Sequence, residues 1–212
     1  MSATAPPPPE TNEALRRNDF RTVLDLVNPV ARVLDLGCGN GALLQLLRDR
    51  KNATGYGLEM DQQLIMECIA RGLSVFQANL DDGLRDFEDQ SFDYVILNQT
   101  LPAVHRPDYV LDEMLRIGKQ CIVSFPNFAH WRVRWHLLTK GRMPVDDIIP
   151  YEWHNTPNIH HLTICDFEHF CRRHHLNLRQ AFYFRQLSRG PVVTRMLRPN
   201  LRAGFALFVI TR

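Results

Sequence analysis

The chain has 212 residues, of which 45% are hydrophobic and 23% charged, which is enough for one sizeable core and excludes a disordered chain. Lys and Arg total 25 against 23 for Asp and Glu, so the net charge of +2 lacks the basic excess typical of nucleic-acid binding. No stretch approaches the roughly 20 apolar residues of a membrane span, and the N-terminal residues lack an export-signal pattern. We therefore expect a soluble, cytoplasmic protein without a membrane or nucleic-acid partner.

The N-terminal residues predict a disordered tail over residues 1–11, followed by a single domain over residues 12–212. Four consecutive prolines at 6–9 lack backbone donors and favour an extended polyproline conformation, for which docking to a partner is the alternative interpretation. Apolar side chains then recur at helical spacing over residues 12–27, and Pro29 should end this first helix.

The next hundred residues alternate β-rich runs with helical patterns, as in βαβ units. Because right-handed crossovers are nearly obligatory, this alternation predicts a doubly wound α/β fold whose ligand site lies beyond the carboxyl ends of the strands. The predicted strands are 32–36, 54–58, 74–77, 94–97 and 120–125, and the predicted helices are 42–50, 62–71 and 108–117.

Residues 126–162 break this alternation, and we interpret them as a lid insertion over the carboxyl edge of the sheet. A helix over 163–174 and strands over 177–184 and 205–211 then complete a mostly parallel seven-stranded sheet. Within the lid, one side of a potential helix is expected to pack on the sheet, a membrane-surface helix being the alternative. That side carries Phe128, Trp131, Trp135 and Leu138.

A glycine-rich turn follows the first predicted strand. Gly37, Gly39 and Gly41 form G-x-G-x-G, which lets the backbone turn sharply and approach a ligand at a helix N-terminus. The dinucleotide fingerprint is G-x-G-x-x-G, so this spacing favours a nucleoside without a pyrophosphate. Glu59 ends the second strand, where a carboxylate can accept hydrogen bonds from both ribose hydroxyls.

With these residues the chain resembles the class I S-adenosylmethionine-dependent methyltransferases over about residues 30–125. The resemblance implies a Rossmann-like fold with S-adenosylmethionine or S-adenosylhomocysteine as the bound cofactor. It implies contacts to the methionine part from Asp35, Gly37, Cys38, Gly39, Asn40 and Gly41, to the ribose from Glu59, to the adenine from Met60, Asn79 and Leu80, and to the sulfonium region from Asn98.

Methyl transfer is an in-line displacement that mainly requires alignment of the nucleophile, so a dedicated acid or base is not obligatory. Weak catalytic candidates are Asn98, His105, Tyr151 and His160, with His130 a further histidine in the lid. Each histidine alone is more typical of a packing or surface residue. The same holds for Cys38, for which a packing role is expected rather than a nucleophilic one.

The cysteines and an arginine-rich segment near the C-terminus remain to be interpreted. Five cysteines without a C-x-x-C pair predict reduced thiols, and without a cluster of ligands at suitable spacing no metal site is predicted. Residues 185–202 hold five arginines and no acidic residue. We expect a solvated face there, and docking of an acidic partner is the alternative.

Several longer strings extend the resemblance beyond the generic fold. They are DYVILNQTL at 93–101, VSFPNF at 123–128, GRMP at 141–144, PYEW at 150–153 and TPNIH at 156–160. Together with the glycine turn they resemble the MetW family of methionine biosynthesis over about residues 30–185. This resemblance implies a cytosolic bacterial protein that works with a homoserine O-acyltransferase.

Two hypotheses follow. In the favoured one, the protein is a partner or activator of the acyltransferase, and its pocket senses the adenosyl ligand. In the other, it is an active small-molecule methyltransferase with an unknown acceptor. A nucleic-acid methyltransferase is disfavoured by the near-neutral charge and by the absence of an N-P-P-Y-type motif after the fourth strand. Enzymatic activity, docking face, stoichiometry and oligomeric state are left open by the sequence.

Overall fold

One seven-stranded sheet organises the fold. The computed structural model describes residues 17–187 and 191–212, so the predicted tail and the beginning of the first predicted helix lie outside the described residues. The strands are β1 (Arg32–Leu36), β2 (Thr54–Glu59), β3 (Ser74–Gln77), β4 (Phe92–Asn98), β5 (Gly118–Pro126), β6 (Asn177–Phe184) and β7 (Phe205–Thr211).

The strand order is β3-β2-β1-β4-β5-β7-β6. Strands β1 to β5 pair in parallel, whereas β7 is antiparallel to both β5 and β6. The predicted doubly wound, mostly parallel sheet is therefore confirmed. Strand order reverses between β1 and β4, which is the point where open α/β sheets form a ligand crevice at the carboxyl edge.

Helices connect the strands close to the predicted positions. The first ends at Leu26, before Pro29, and the third begins at Asp61, whose carboxylate accepts hydrogen bonds from the amides of Gln63 and Leu64. The helices are α1 (Asn18–Leu26), α2 (Ala42–Lys51), α3 (Gln62–Ala70), α4 (Pro107–Ile117), α5 (Trp131–Lys140), α6 (Ile164–Arg173) and α7 (Pro199–Arg202), with single 3-10 turns at Leu80–Asp82 and Leu101–Ala103.

Apolar side chains fill both faces of the sheet. Successive residues of a strand point to opposite faces, so Leu34 of β1 joins one buried cluster with Met114 of α4, whereas Val33 joins a second with Leu46 of α2. Burial on both faces is typical of parallel strands covered by helices. The sheet is thus a rigid frame that presents its loops at the carboxyl edge.

The prediction that the side of the lid helix with the tryptophans packs on the sheet is wrong. Trp131 is 50% exposed, Trp135 61% and Leu138 79%, while Phe128 and Val133 are buried. Because Phe128 lies before α5 begins and Val133 points inward from the helix, the tryptophan side of α5 faces outward. In the described ranges, no helix is long and apolar enough to cross a bilayer.

Candidate functional site

The glycine turn after β1 is held against the end of β2. The amides of Gly37 and Cys38 both donate to the carbonyl of Leu58, at 2.8 and 3.1 Å. Gly37 has φ of +71°, and a Cβ on it would lie 2.6 Å from Cγ2 of Thr100. Only glycine fits this position, both for its backbone conformation and for the close approach of the loop that follows β4.

Gly39 lies in a different environment within the same turn. Its φ is also positive, but a Cβ there would meet no atom within 4 Å, so the turn faces open space at this residue. The next residue, Asn40, accepts a hydrogen bond from the amide of Ala42 at 3.3 Å. Gly41 precedes α2, and the helix N-terminus therefore begins at the edge of this open space.

Glu59 joins the end of β2 to the glycine turn. Its Oε2 accepts from the Gly39 amide at 2.9 Å, and its Oε1 accepts from the amides of Met60 and Asp61 at 2.8 and 3.0 Å. The structure therefore brings Glu59 and the turn together, as their spacing in the sequence predicts. The carboxylate is partly exposed and fixed in orientation, which is what a hydrogen-bond acceptor for a ligand requires.

Asp35, two residues before the turn, is a buried acid with an unmatched oxygen. Within the described residues its Oδ1 has no hydrogen-bond partner, and the residue is 2% exposed. Burial, and secondarily the charge of Glu59, raises the pKa of Asp35 to about 7, against the opposing charge of Arg17. A carboxyl group in this state is a ready acceptor for a cationic or hydrogen-bond-donating group.

Cys38 and Cys68 line the back of the turn. Both are buried, and the Sγ of Cys68 donates to the Gly39 carbonyl at 3.2 Å. Burial, followed by the nearby Asp35, raises the pKa of the Cys38 thiol well above its usual range, so it is not a reactive thiolate at neutral pH. The five cysteines are all free thiols.

Asn98, at the end of β4, is tied into a polar network. Its Nδ2 donates to Oδ2 of Asp19 at 2.9 Å, and its Oδ1 accepts from the hydroxyl of Ser124. The Ser124 oxygen in turn accepts from the amide and the side chain of Gln99, at 3.1 and 3.0 Å. Both polar ends of the Asn98 side chain are therefore engaged by protein groups.

The other side of this network comes from α1. Asp19 is fully buried, and Arg17 pairs with it through two hydrogen bonds of 2.6 and 3.1 Å while stacking over the ring of Phe20. The sequence analysis missed Arg17, Asp19 and Ser124 as site residues. Ser124 lies within the string at 123–128, but Asp19 is 79 residues from Asn98, and no local signal marks that pair.

The residues assigned by resemblance to the adenine lie beyond β2 and β3. Met60 is exposed, and its carbonyl accepts from the side chain of Gln77 at 3.3 Å. Asn79 caps the 3-10 turn that begins at Leu80, accepting from the amide of Asp81 at 3.1 Å, and Leu80 is buried. These side chains thus follow neighbouring strands at the same edge of the sheet.

The remaining catalytic candidates are dispersed. The side chain of His105 is 75% exposed and pairs with Asp81 at 3.1 Å, and Tyr151 is also exposed. His160 is closer to the β4 loop, because its amide donates to the carbonyl of Pro102 at 2.9 Å. Its Nε2 is buried and has no partner in the described part of the chain, and the residue lines an apolar cavity of about 370 Å³. His130 caps α5.

The comparisons with known proteins agree with this architecture. Residues 17–210 match the family described as methionine biosynthesis protein MetW. The "Bifunctional methionine biosynthesis protein MetXA/MetW" of Rhodopirellula baltica is 36% identical over 203 residues, which is 92% of this chain. The match covers 32% of that relative, so the chain spans about a third of its length.

Solved structures match over nearly the whole chain. A SAM-dependent methyltransferase from Archaeoglobus fulgidus superposes with a TM-score of 0.69 at 13% identity, covering 96% of this chain and 94% of that one. One from Thermotoga maritima gives 0.67 at 18%, covering 95% and 90%. These identities show the fold alone. The chain therefore has the class I methyltransferase fold and belongs to the MetW family of methionine biosynthesis proteins.

Proposed function

We propose that the protein binds S-adenosylmethionine or S-adenosylhomocysteine at the glycine turn and acts as a partner or activator of a homoserine O-acyltransferase in the bacterial cytoplasm. The observation that carries this proposal is the contrast between Asp35 and Asn98. The first, two residues before the glycine turn, has a buried oxygen without a hydrogen-bond partner among the described residues, whereas both polar ends of the second are engaged by α1 and β5.

The residues around the turn fit an adenosyl ligand. The free Oδ1 of Asp35 suits the ammonium group of the methionine part, and the open space at Gly39 leaves room for the chain that joins it to the ribose. Glu59, whose carboxylate accepts from three backbone amides, would accept from the ribose hydroxyls, and Met60, Asn79 and Leu80 would contact the adenine. S-adenosylmethionine, when bound, would supply an electrophilic methyl group.

The opposite side of the crevice favours sensing over transfer. A methyl acceptor needs free polar groups to align it near the sulfonium. The side-chain amide of Asn98, the candidate at that position, already donates to Asp19 and accepts from Ser124. His105 lies at the surface. This arrangement supports a protein that binds the adenosyl ligand and reports it to a partner.

The relative from Rhodopirellula baltica supports the partner role. Its name assigns two activities, MetXA and MetW, to one polypeptide, and this chain matches about a third of it. Covalent linkage of two modules raises their effective concentration, which is an advantage for modules that act together. We infer that this protein associates with an equivalent acyltransferase.

An active small-molecule methyltransferase is the second candidate. The observation that favours it is the buried Nε2 of His160, which has no hydrogen-bond partner among the described residues, in a side chain that lines the apolar cavity near the loop after β4. An acceptor held there would meet His160, Asp108 and Asp166 among side chains that are otherwise apolar. Transfer to such an acceptor would make the cofactor a substrate.

Ligand binding is tested by calorimetry with S-adenosylmethionine and with S-adenosylhomocysteine, on the natural protein and on the variant Gly39→Arg. The substitution places a long side chain in the open space at the turn, where the Gly39 amide donates to Glu59. We expect binding by the protein and none by the variant. Acyltransferase activity is then measured across a titration of this protein with and without ligand. Because coupling is reciprocal, the acyltransferase should change the ligand affinity by the same factor.

Two results would count against these assignments. Acyltransferase activity that does not respond to the protein at any ligand concentration contradicts the partner role. Labelled methyl groups that appear in a cell-extract product above the Gly39→Arg background would favour the second candidate.

A further inference from the structure

A second cavity lies at the start of α5, away from the residues assigned to the adenosyl ligand. Its volume is about 520 Å³. The side chains that line it come from the lid, from the segment after β6 and from α7, and include Trp131, Arg132, Asp147, Arg185, Gln186 and Arg202.

Positive charge dominates this cavity. Arg132, Arg185 and Arg202 come from three separate segments, and within residues 17–187 and 191–212 none of them pairs with a carboxylate. Among the described residues that line the cavity the one carboxylate is Asp147, which already accepts a hydrogen bond from the side chain of Gln186 at 2.9 Å. The cavity therefore has an excess of two formal positive charges, three arginines against one aspartate.

The beginning of α5 adds to this field. Trp131 and Arg132, the first two residues of this ten-residue helix, both line the cavity, so the positive end of the helix dipole is directed there. His130 caps the helix by accepting from the Arg132 amide at 3.4 Å. Burial, and then the charge of Arg132, lowers the pKa of His130, which is neutral at pH 7.

The arrangement differs from the solvated face expected for residues 185–202. Arginines on a solvated face are spread over a convex surface, where water screens them from each other. Here Arg185 and Arg202 converge with Arg132, which is distant in sequence, around one concavity. Like charges gathered in this way repel each other until an anion occupies the space between them.

We propose that this cavity binds a small polyanion whose phosphate or carboxylate groups pair with the guanidinium groups of Arg132, Arg185 and Arg202. Guanidinium groups match both oxyanions through paired hydrogen bonds. The half-exposed Trp131 at the cavity wall offers an aromatic face to the remainder of the ligand. This site does not depend on the proposed adenosyl function.

Helix α1 connects this cavity to the crevice at the carboxyl edge. The Asn18 amide donates to the carbonyl of Leu187 at 2.6 Å, and its side chain donates to the carbonyl of Gln186 at 3.4 Å. The neighbouring Asp19 is bonded to Asn98. Hydrogen bonds through α1 therefore link the Gln186 segment of the cavity to Asn98.

The experiment uses the full chain at low ionic strength, with pyrophosphate and citrate as separate probes. Binding is measured by calorimetry and by tryptophan fluorescence, since Trp131 lies in the cavity wall. We expect saturable binding of at least one probe and a loss of about tenfold or more in affinity for the Arg185→Gln/Arg202→Gln variant. Arg142→Gln is the control, because Arg142 is an exposed arginine in the same lid as Arg132 and does not line the cavity.

A response to pyrophosphate alone assigns the site to phosphates, and a response to citrate alone assigns it to carboxylates. The proposal is overturned if neither probe binds saturably, or if Arg142→Gln weakens binding as much as the cavity variant does. Arg132→Gln is a second cavity variant, and thermal unfolding of each protein shows whether its fold is retained. Trp131→Phe should lose the fluorescence response while the calorimetric binding persists.

Discussion

The two sides of the crevice are built in different ways. On the β1–β2 side, the contact between Glu59 and the Gly39 amide joins residues 20 positions apart, and the turn is stabilised by backbone hydrogen bonds. On the β4 side, Asn98 depends on Asp19, which is 79 positions away on α1. The first side is a local backbone structure that fits a nucleoside, whereas the second exists only when a separate helix docks. We therefore expect changes on the two sides to have separable effects.

The largest effect is expected from Gly37→Ala on the β1–β2 side. The new Cβ would lie 2.6 Å from Thr100 at a φ of +71°, so strain and overlap together should lower the free energy of unfolding by about 3 kcal/mol. Adenosyl binding should fall about 100-fold or more, since the loop must move. Urea denaturation and calorimetry measure both quantities.

Gly141→Ala is the matched control for that change, because φ is +61° and a Cβ there meets no atom within 4 Å. It should lower stability by about 1 kcal/mol and leave ligand binding unchanged. Equal losses in the two variants would show that close approach to the β4 loop is unimportant.

Asp35→Asn should separate stability from binding. The pKa of Asp35 is raised from 3.8 to about 7 in the folded protein, so the unfolded chain releases this proton at lower pH than the folded one. Ionisation therefore destabilises the fold progressively as pH rises from 4 to 7, and the full penalty is present above pH 7. Since asparagine cannot ionise, the variant should gain stability relative to the natural chain by about 4 kcal/mol between pH 4 and pH 8.

This stability difference should shrink towards pH 5, as measured by urea denaturation at several pH values. A difference that does not change with pH would contradict a raised pKa for Asp35. The affinity of the natural chain for S-adenosylhomocysteine should increase from pH 6 to pH 8, because the ionised carboxylate pairs better with the ligand's ammonium group. The variant should bind weakly at every pH.

Asn98→Ala tests the β4 side. It removes one partner of the buried Asp19, which retains Arg17, and the acceptor of the Ser124 hydroxyl, so we expect a loss of about 2 kcal/mol in stability and faster amide exchange in α1. Adenosyl affinity should fall much less than in Gly37→Ala. Asn155→Ala, at an exposed turn, is the control and should change neither quantity. Unaltered exchange in α1 would mean that this network does not hold the helix.

His105→Gln should have the smallest effect. The His105 side chain that contacts Asp81 is largely exposed, and Asp81 also accepts from the backbone amides of His105 and Arg106, which the substitution retains. Stability should change by less than about 0.5 kcal/mol, with ligand affinity unchanged. A large fall in the affinity for the adenosyl ligand would show that His105 contributes to the binding site.

The order of the elements and the β1–β2 side of the crevice could be predicted from the sequence. The bounds 32–36, 74–77, 177–184 and 205–211 coincide with strands of the structure, because apolar runs bounded by polar and glycine residues are local features. Gly37 and Glu59 could be placed for the same reason. The ligand roles assigned to these residues are still predictions.

The lid shows where local patterns fail. The spacing of Trp131, Trp135 and Leu138 correctly indicates one side of a helix, but periodicity does not say which side meets the core. Burial of Phe128 and Val133 decides that the tryptophans face outward.

The sequence by itself determined the alternating strands and helices, the glycine turn and the acidic residue that follows it, because each depends on backbone conformation and spacing within a short segment. Only the tertiary structure decided that Asp19 meets Asn98 and that Arg132, Arg185 and Arg202 surround one cavity. Those contacts depend on how whole elements pack, and packing is set by the burial of apolar surface over the entire chain.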